Sequence, residues 1–179
     1  MPDIRIIPIA PLVHFPIEQL RDEIATRLRR DVCIDHLPID EDASFDRSRQ
    51  QYHSGHLLHS LLTAAPIDDS KVLGITHYDL FVPIFTFVFG QAQMHNRTAL
   101  FSTFRLGNDF YGLPFSKEVL FSRALKEAMH ELGHTFGLAH CFDGPCAMNQ
   151  STYVEDIDLK PAAYCLSCAE IVLNDAQKR

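Results

Sequence analysis

Eleven consecutive residues carry the clearest chemistry in this chain: His130-Glu131-Leu132-Gly133-His134-Thr135-Phe136-Gly137-Leu138-Ala139-His140. On an α-helix, side chains four apart share a face, one turn from each other, so His130 and His134 can meet a single metal ion. A catalytic zinc takes three protein ligands plus water, with neutral imidazole nitrogens at about 2.0–2.1 Å. His140 is read as the third ligand. A helix that ran on would carry it past the ion, but Gly137 can take the positive φ of a helix C′ position and turn the chain back. Glu131, next to the first ligand, is placed to receive a proton from metal-activated water rather than to bind the metal. The expected chemistry is metal-assisted hydrolysis, with Glu131 as general base and then general acid towards the leaving amine.

A second metal pattern starts at the next residue. Cys141-x4-Cys146 and Cys165-x2-Cys168 make two ligand pairs, the spacing of a closed structural zinc site. Unrelated thiols or disulfides are the alternative. Two Zn²⁺ per chain are therefore expected, one catalytic and one structural. Because Cys141 adjoins His140, the two metals must lie within roughly 15 Å, and the structural zinc should brace the third catalytic ligand. Met148 is read as an apolar floor beneath the catalytic zinc, against the alternative of an ordinary core methionine. Cys33 stands outside both patterns.

Composition bounds the rest. With 179 residues the chain fits one domain. Residues 1–136 read as a sheet-and-helix subdomain that ends in the active-site helix, and residues 137–179 as a C-terminal subdomain with the four-cysteine site and Met148. The chain is 46% hydrophobic and 22% charged, as soluble globular proteins are. A net charge of −7 argues against a nucleic-acid surface. No apolar run is long enough to span a bilayer, and the N-terminal residues lack a secretory pattern. Five cysteines in a metal-type arrangement suit a reducing compartment better than a disulfide framework. A cytoplasmic monomer with no nucleic-acid or membrane partner is expected.

The elements that must position these residues come earlier. Asp3 to Ala10 predicts a strand, and Pro16 opens an amphipathic helix to Arg30 through Ile17, Leu20, Ile24 and Leu28. Val32 to Ile39 predicts a second strand, so the unit reads as a parallel crossover. Glu41 to Arg49 reads as loop. Gln50 to Ala64 predicts a helix with Leu57, Leu58, Leu61 and Leu62 inside. Its His53, His56 and His59 span a wide arc without a completing ligand and read as solvated or capping histidines. Lys71 to Ile75 predicts a third strand. Ile84 to Ala92 and Thr98 to Leu106 predict a hairpin around Met94-His95-Asn96-Arg97, with Phe85, Phe87 and Phe89 on one face as core. After a loop from Gly107 to Pro114, Ser116 caps a helix to Phe136 that buries Phe121, Leu125, Met129, Leu132 and Phe136. The histidines lie off that stripe. Cys165 and Cys168 lead into a last helix, docked through Ile171 and Val172.

The segment from His130 to Cys168 resembles the metzincin zinc peptidases, and its four cysteines make it similar to the archaemetzincins. The spacer from Met148 to Cys165 is one residue shorter than the family pattern. The resemblance implies an α+β fold with an α/β-like N-terminal subdomain: a twisted, mixed five-stranded sheet with helices, plus a small zinc-braced C-terminal subdomain. It implies a metalloprotease with aminopeptidase-like activity on a peptide or protein substrate. His130, His134 and His140 would be ligands, Glu131 the base and Met148 the Met-turn residue. An α-amine would need an acidic partner, for which Asp109, Glu127, Glu155 and Asp156 are available. Two rivals stand beside this reading: a catalytically weak, zinc-containing peptide-binding module, and a hydrolase acting on a non-peptide amide. The edge of the Ile84–Ala92 strand is the expected seat of an extended peptide.

Overall fold

The computed structural model describes residues 1–9, 12, 15–94 and 96–176. In chain order it contains β1 (Ile4–Pro8), α1 (Ile17–Leu28), β2 (Val32–Ile34), β3 (Phe45–Asp46), β4 (Gln51–His53), α2 (Ser54–Ala64), β5 (Lys71–Thr76), β6 (Leu80–Phe81), β7 (Gly90–Ala92), β8 (Thr98–Ser102), α3 (Lys117–Thr135), α4 (Val154–Leu159) and α5 (Leu166–Ala176). The main sheet has the order β2-β1-β5-β8-β7, and a small second sheet has the order β3-β4-β6. In the main sheet all pairings are parallel except β7 with β8. The expected mixed five-stranded sheet is therefore present, with its antiparallel strand at one edge.

The two-residue period of the strands divides the core. Ile4, Ile6, Leu73, Ile75, Ala99 and Phe101 point one way and pack with Leu20 and Ile24 of α1 and with Met129 and Leu132 of α3. Their neighbours Ile7, Val72 and Leu100 point the other way and meet Leu57, Leu58 and Leu61 of α2. Strands β5 and β8 are covered on both faces, which explains their continuous apolar run. Leu62, expected inside α2, is only half-buried.

Helix α3 follows its prediction. Ser116 Oγ accepts from the Val119 amide at 3.2 Å, and Leu125, Met129, Leu132 and Phe136 are buried, with Phe121 half-buried. Its far end is held by the Lys71 Nζ, which donates to the Thr135 carbonyl at 2.8 Å. A cation there satisfies an orphan carbonyl and complements the helix dipole.

Several boundaries differ from the sequence reading. The end of the first predicted strand, Ala10, lies outside the described residues, as does His95 in the predicted turn. Helix α1 ends at Leu28, because Arg29 turns left-handed at φ 52. Strand β2 stops at Ile34; Asp35 still donates to Ile6 beyond it, but Pro38 has no amide to carry the ladder to Ile39. The stretch read as loop, Glu41 to Arg49, contains a 3₁₀ turn (Asp42–Ser44) and β3. Gln51–His53 is drawn into the second sheet, so α2 starts at Ser54 rather than Gln50. Strand β8 ends at Ser102, not Leu106, and the loop before α3 has a 3₁₀ turn at Asn108–Tyr111.

The largest correction concerns Ile84 to Ala92, of which only Gly90–Ala92 joins the sheet. Arg49 Nη2 donates to the Phe85 carbonyl at 2.9 Å and Gln51 Nε2 to the Thr86 carbonyl at 3.0 Å. Those carbonyls are thus used by side chains rather than by a ladder. Phe85, Phe87 and Phe89 do not share a strand face. Phe89 is in the core at 6% exposure, while Phe85 is 57% exposed.

After α3 the chain runs through α4, for which the sequence reading had no element, into α5. Val172 is buried there as expected, whereas Ile171 faces outward. Among the described residues no helix is long and apolar enough to cross a membrane.

Candidate active site

The turn after α3 builds the site. Gly137 has φ 89, the left-handed C′ conformation expected of it. The Gly137 amide donates to the His134 carbonyl and the Leu138 amide to the Gly133 carbonyl, both at 3.0 Å. This is the Schellman pattern, which closes the helix and reverses the chain. Leu138 then offers its own carbonyl to His134 Nδ1 at 2.7 Å. His130 Nδ1 lies 2.8 Å from the Ala147 carbonyl. A carbonyl only accepts, so each Nδ1 carries a proton, and in the neutral ring each Nε2 is left with a lone pair.

Those two Nε2 atoms face each other at 3.2 Å. Two lone pairs at that separation repel unless a cation sits beside both. Tetrahedral zinc with bonds of about 2.0–2.1 Å would hold two nitrogens about 3.3 Å apart. His140 joins them: one ring nitrogen from each of the three histidines falls within 4.8 Å of the others. Burial lowers the pKa of His130 well below the ordinary histidine value and lowers that of His134, and the nearby Lys160 charge adds to both effects. Neutral imidazole is the form a metal needs. The residues present therefore fit a zinc ion.

Glu131 is 5% exposed. Its carboxylate lies against the backbone of β7, where a Cβ at Gly90 would come within 2.5 Å of Glu131 Oε1. Glu131 Oε2 is buried without a hydrogen-bond partner. Burial raises its pKa well above the ordinary carboxyl value; the Glu127 charge adds to this and Lys160 opposes it. A carboxylate held this way is a stronger base than one in water. Beside it Lys160 Nζ pairs with Glu127 Oε1 at 2.8 Å, both side chains almost fully buried.

The four cysteines converge as well. One Sγ from each of Cys141, Cys146, Cys165 and Cys168 lies within 4.8 Å of the rest, and none forms a disulfide. Cys141 and Cys165 Sγ are 3.8 Å apart, the sulfur spacing of a zinc tetrahedron with bonds of about 2.3 Å. The Cys165 and Met148 amides point at Cys146 Sγ at 3.3 and 3.5 Å. The Cys168 amide holds the Cys165 thiol below its usual pKa, whereas burial pushes the Cys168 thiol up. Met148 is fully buried under α3, against Gly133.

A cleft of about 430 Å³ runs over the histidines and Glu131. One wall comes from Phe85 to Ala92 with Met94, the other from Gln150 to Thr152, and Glu127 and Lys160 line its floor. Of the acidic candidates for an α-amine, Glu127 is in the cleft. Asp109 and Glu155 are exposed elsewhere, and Asp156 Oδ2 accepts from the Thr152 and Tyr153 amides. Among the described residues His53 and His56 stack at 4.2 Å without joining a metal cluster, and Cys33 remains apart. Sequence reasoning missed Lys160, Gly90 and the cleft-facing Phe85 and Phe87. The Phe85-Phe87-Phe89 alternation was visible, but its strand pattern pointed to core.

The geometry has counterparts among known proteins. Residues 37–174 match the profile of peptidase family M54. The archaemetzincin of Methanocaldococcus jannaschii is 45% identical over 125 residues, which is 70% of this chain and 68% of that protein. The crystal structure of archaemetzincin from Methanopyrus kandleri superposes with a TM-score of 0.81 at 30% identity, covering 98% of this chain and 95% of that one. A zinc-dependent peptidase from Methanocorpusculum labreanum gives a TM-score of 0.81 at 27% identity, covering 94% of this chain and 99% of that one. With the family profile spanning most of the sequence and the fold shared end to end, this chain belongs to peptidase family M54, the archaemetzincins, and is a zinc metallopeptidase.

Proposed function

We propose that His130, His134 and His140 hold the catalytic zinc and that Glu131 is the general base for peptide-bond hydrolysis. The observation that carries this is the pair of Nε2 atoms facing each other at 3.2 Å, each imidazole held by a backbone carbonyl at its Nδ1. Zinc bound there acidifies a water towards a pKa of about 7 and polarises the scissile carbonyl. Glu131 takes the proton of the attacking water onto a carboxylate oxygen and passes it to the leaving amine. Gly90 gives that carboxylate room, and the outer edge of β7 is the place where an extended peptide adds as a strand. Cys141, Cys146, Cys165 and Cys168 hold a second, structural zinc that braces residues 137–179 as a small subdomain on residues 1–136.

Zinc stoichiometry and cleavage of a peptide library, wild type against Glu131→Gln, test this reading. Two zinc ions per chain and cleavage that falls at least about a hundredfold in the variant, with zinc content unchanged, are expected. Two zinc ions without cleavage of any peptide would favour the peptide-binding module instead.

The aminopeptidase-like reading requires Glu127 to exchange Lys160 for a substrate α-ammonium. Peptides with free and acetylated N-termini separate the cases: resistance of the acetylated ones supports aminopeptidase action, and equal cleavage supports an endopeptidase.

A further inference from the structure

Phe85 and Phe87 are the feature that the sequence assigned to the core and the fold placed in the cleft. Their loop is tied to its neighbours at several points. Its carbonyls at Phe85 and Thr86 are bound by Arg49 and Gln51, and the Val88 amide donates to the Leu80 carbonyl at 2.9 Å. The Phe87 ring is held on two sides. The Arg105 guanidinium lies over it at 4.2 Å, and the Phe89 ring meets it edge-on at 5.3 Å. Arg105 is itself fixed by Asp79 through bonds of 2.6 and 2.7 Å, and Gln51 Nε2 binds the same carboxylate at 2.9 Å. Phe85 and Met94, which are 57% and 51% exposed, line the same cleft.

The charges of the cleft are already engaged. Lys160 and Glu127 form an ion pair at 2.8 Å, and Glu131 belongs to the proton transfer. Apart from Glu131, no charged side chain among the described lining residues is left unpaired for an ionic substrate side chain. A rigid aromatic surface immobilises no further side chains when it binds, so burying apolar area on it yields more of its free energy as affinity.

We propose that the braced Phe87 ring, with Phe85 and Met94, selects peptides that carry a large apolar side chain beside the scissile bond. This specificity rests on the zinc-peptidase reading above. The probes are acetohydroxamate and N-acyl hydroxamates of Phe, Leu, Asp and Lys, titrated calorimetrically into zinc-loaded protein. The Phe and Leu compounds should bind at least about tenfold tighter than the Asp and Lys compounds. Phe87→Ala should weaken the Phe compound about tenfold and leave acetohydroxamate unchanged, while Phe87→Leu should retain most of the preference. In cleavage assays the same loss should appear in KM more than in kcat. Equal affinity for the four side chains, or indifference to Phe87→Ala, would overturn the proposal while leaving the peptidase reading intact. Failure of acetohydroxamate itself to bind would remove the zinc-site reading, and this proposal with it.

Discussion

Met148 packs directly against the backbone of Gly133. A Cβ built at residue 133 would collide with Met148 Sδ and reach 3.2 Å from Tyr164 Cε1. Tyr164 also donates its hydroxyl to the Met129 carbonyl at 2.6 Å. The turn of α3 that carries His130 and His134 therefore rests on a floor supplied by the segment between the two cysteine pairs.

Gly133→Ala should push Met148 and Tyr164 off this helix. Overpacking of this kind costs about 1–3 kcal/mol. Thermal unfolding should show that loss, and the zinc affinity of the histidine site should fall in the same variant. A variant with a lower Tm but unchanged histidine-site zinc affinity would separate the floor from the metal.

Gly137→Val should be worse for metal than for folding. A β-branched residue at φ 89 is strained, by about 1–2 kcal/mol or more, and the Schellman turn would open. That turn positions the Leu138 carbonyl on His134 and aims His140. Chelator competition should report a loss of zinc affinity larger than the stability change predicts. Equal zinc affinity would show that His140 finds the metal without the turn.

Asn149 ties the cysteine loop to the residue after Met148. Its Nδ2 donates to the Cys141 carbonyl at 2.8 Å and the Gly144 carbonyl at 3.1 Å, and its Oδ1 accepts from the Cys146 amide at 2.9 Å. Asn149→Ala should cost about 2 kcal/mol, since each such bond contributes about 1 kcal/mol and part is regained from water. Because Cys141 adjoins His140, this variant and Cys165→Ser should both lower occupancy of the histidine site as well as the cysteine site. Metal analysis with activity checks this; an intact catalytic zinc in Cys165→Ser would show that the sites are independent.

Asp68, which belongs to neither ligand cluster, gives stability a pH dependence of its own. The Ser70 hydroxyl at 2.5 Å and Arg5 Nη2 at 2.8 Å hold its carboxyl at a pKa of about 2, against 3.8 in an ordinary setting. A depressed folded pKa contributes stability above the unfolded value, and that contribution is lost as pH falls through the folded one. The difference corresponds to about 2 kcal/mol at neutral pH. Asp68→Asn should lose about that much at pH 7, and the gap to wild type should narrow from pH 4 down to pH 2. A gap constant across that range would assign the effect to packing.

The convergence of three histidines and four cysteines between His130 and Cys168 was readable in the sequence because it depends largely on short-range spacing. A four-residue step sets two imidazoles on one helical face, a glycine permits the turn, and paired cysteines lie close enough to share an ion. The long helix and the strands of the main sheet were readable for the same reason, since their apolar periods run over several residues in a row. What only the tertiary structure decided involves partners distant along the chain. Arg49 and Gln51 take carbonyls that a strand at Ile84–Ala92 would have used, and so turn Phe85 and Phe87 into the cleft. Gly90 is brought against Glu131, and Lys160 against Glu127. No local period signals such contacts: each is set by where the sheet edge, α3 and the C-terminal segment meet in space. Spacing could announce a metal-binding hydrolase, but the wall that faces its substrate exists only once those elements have packed.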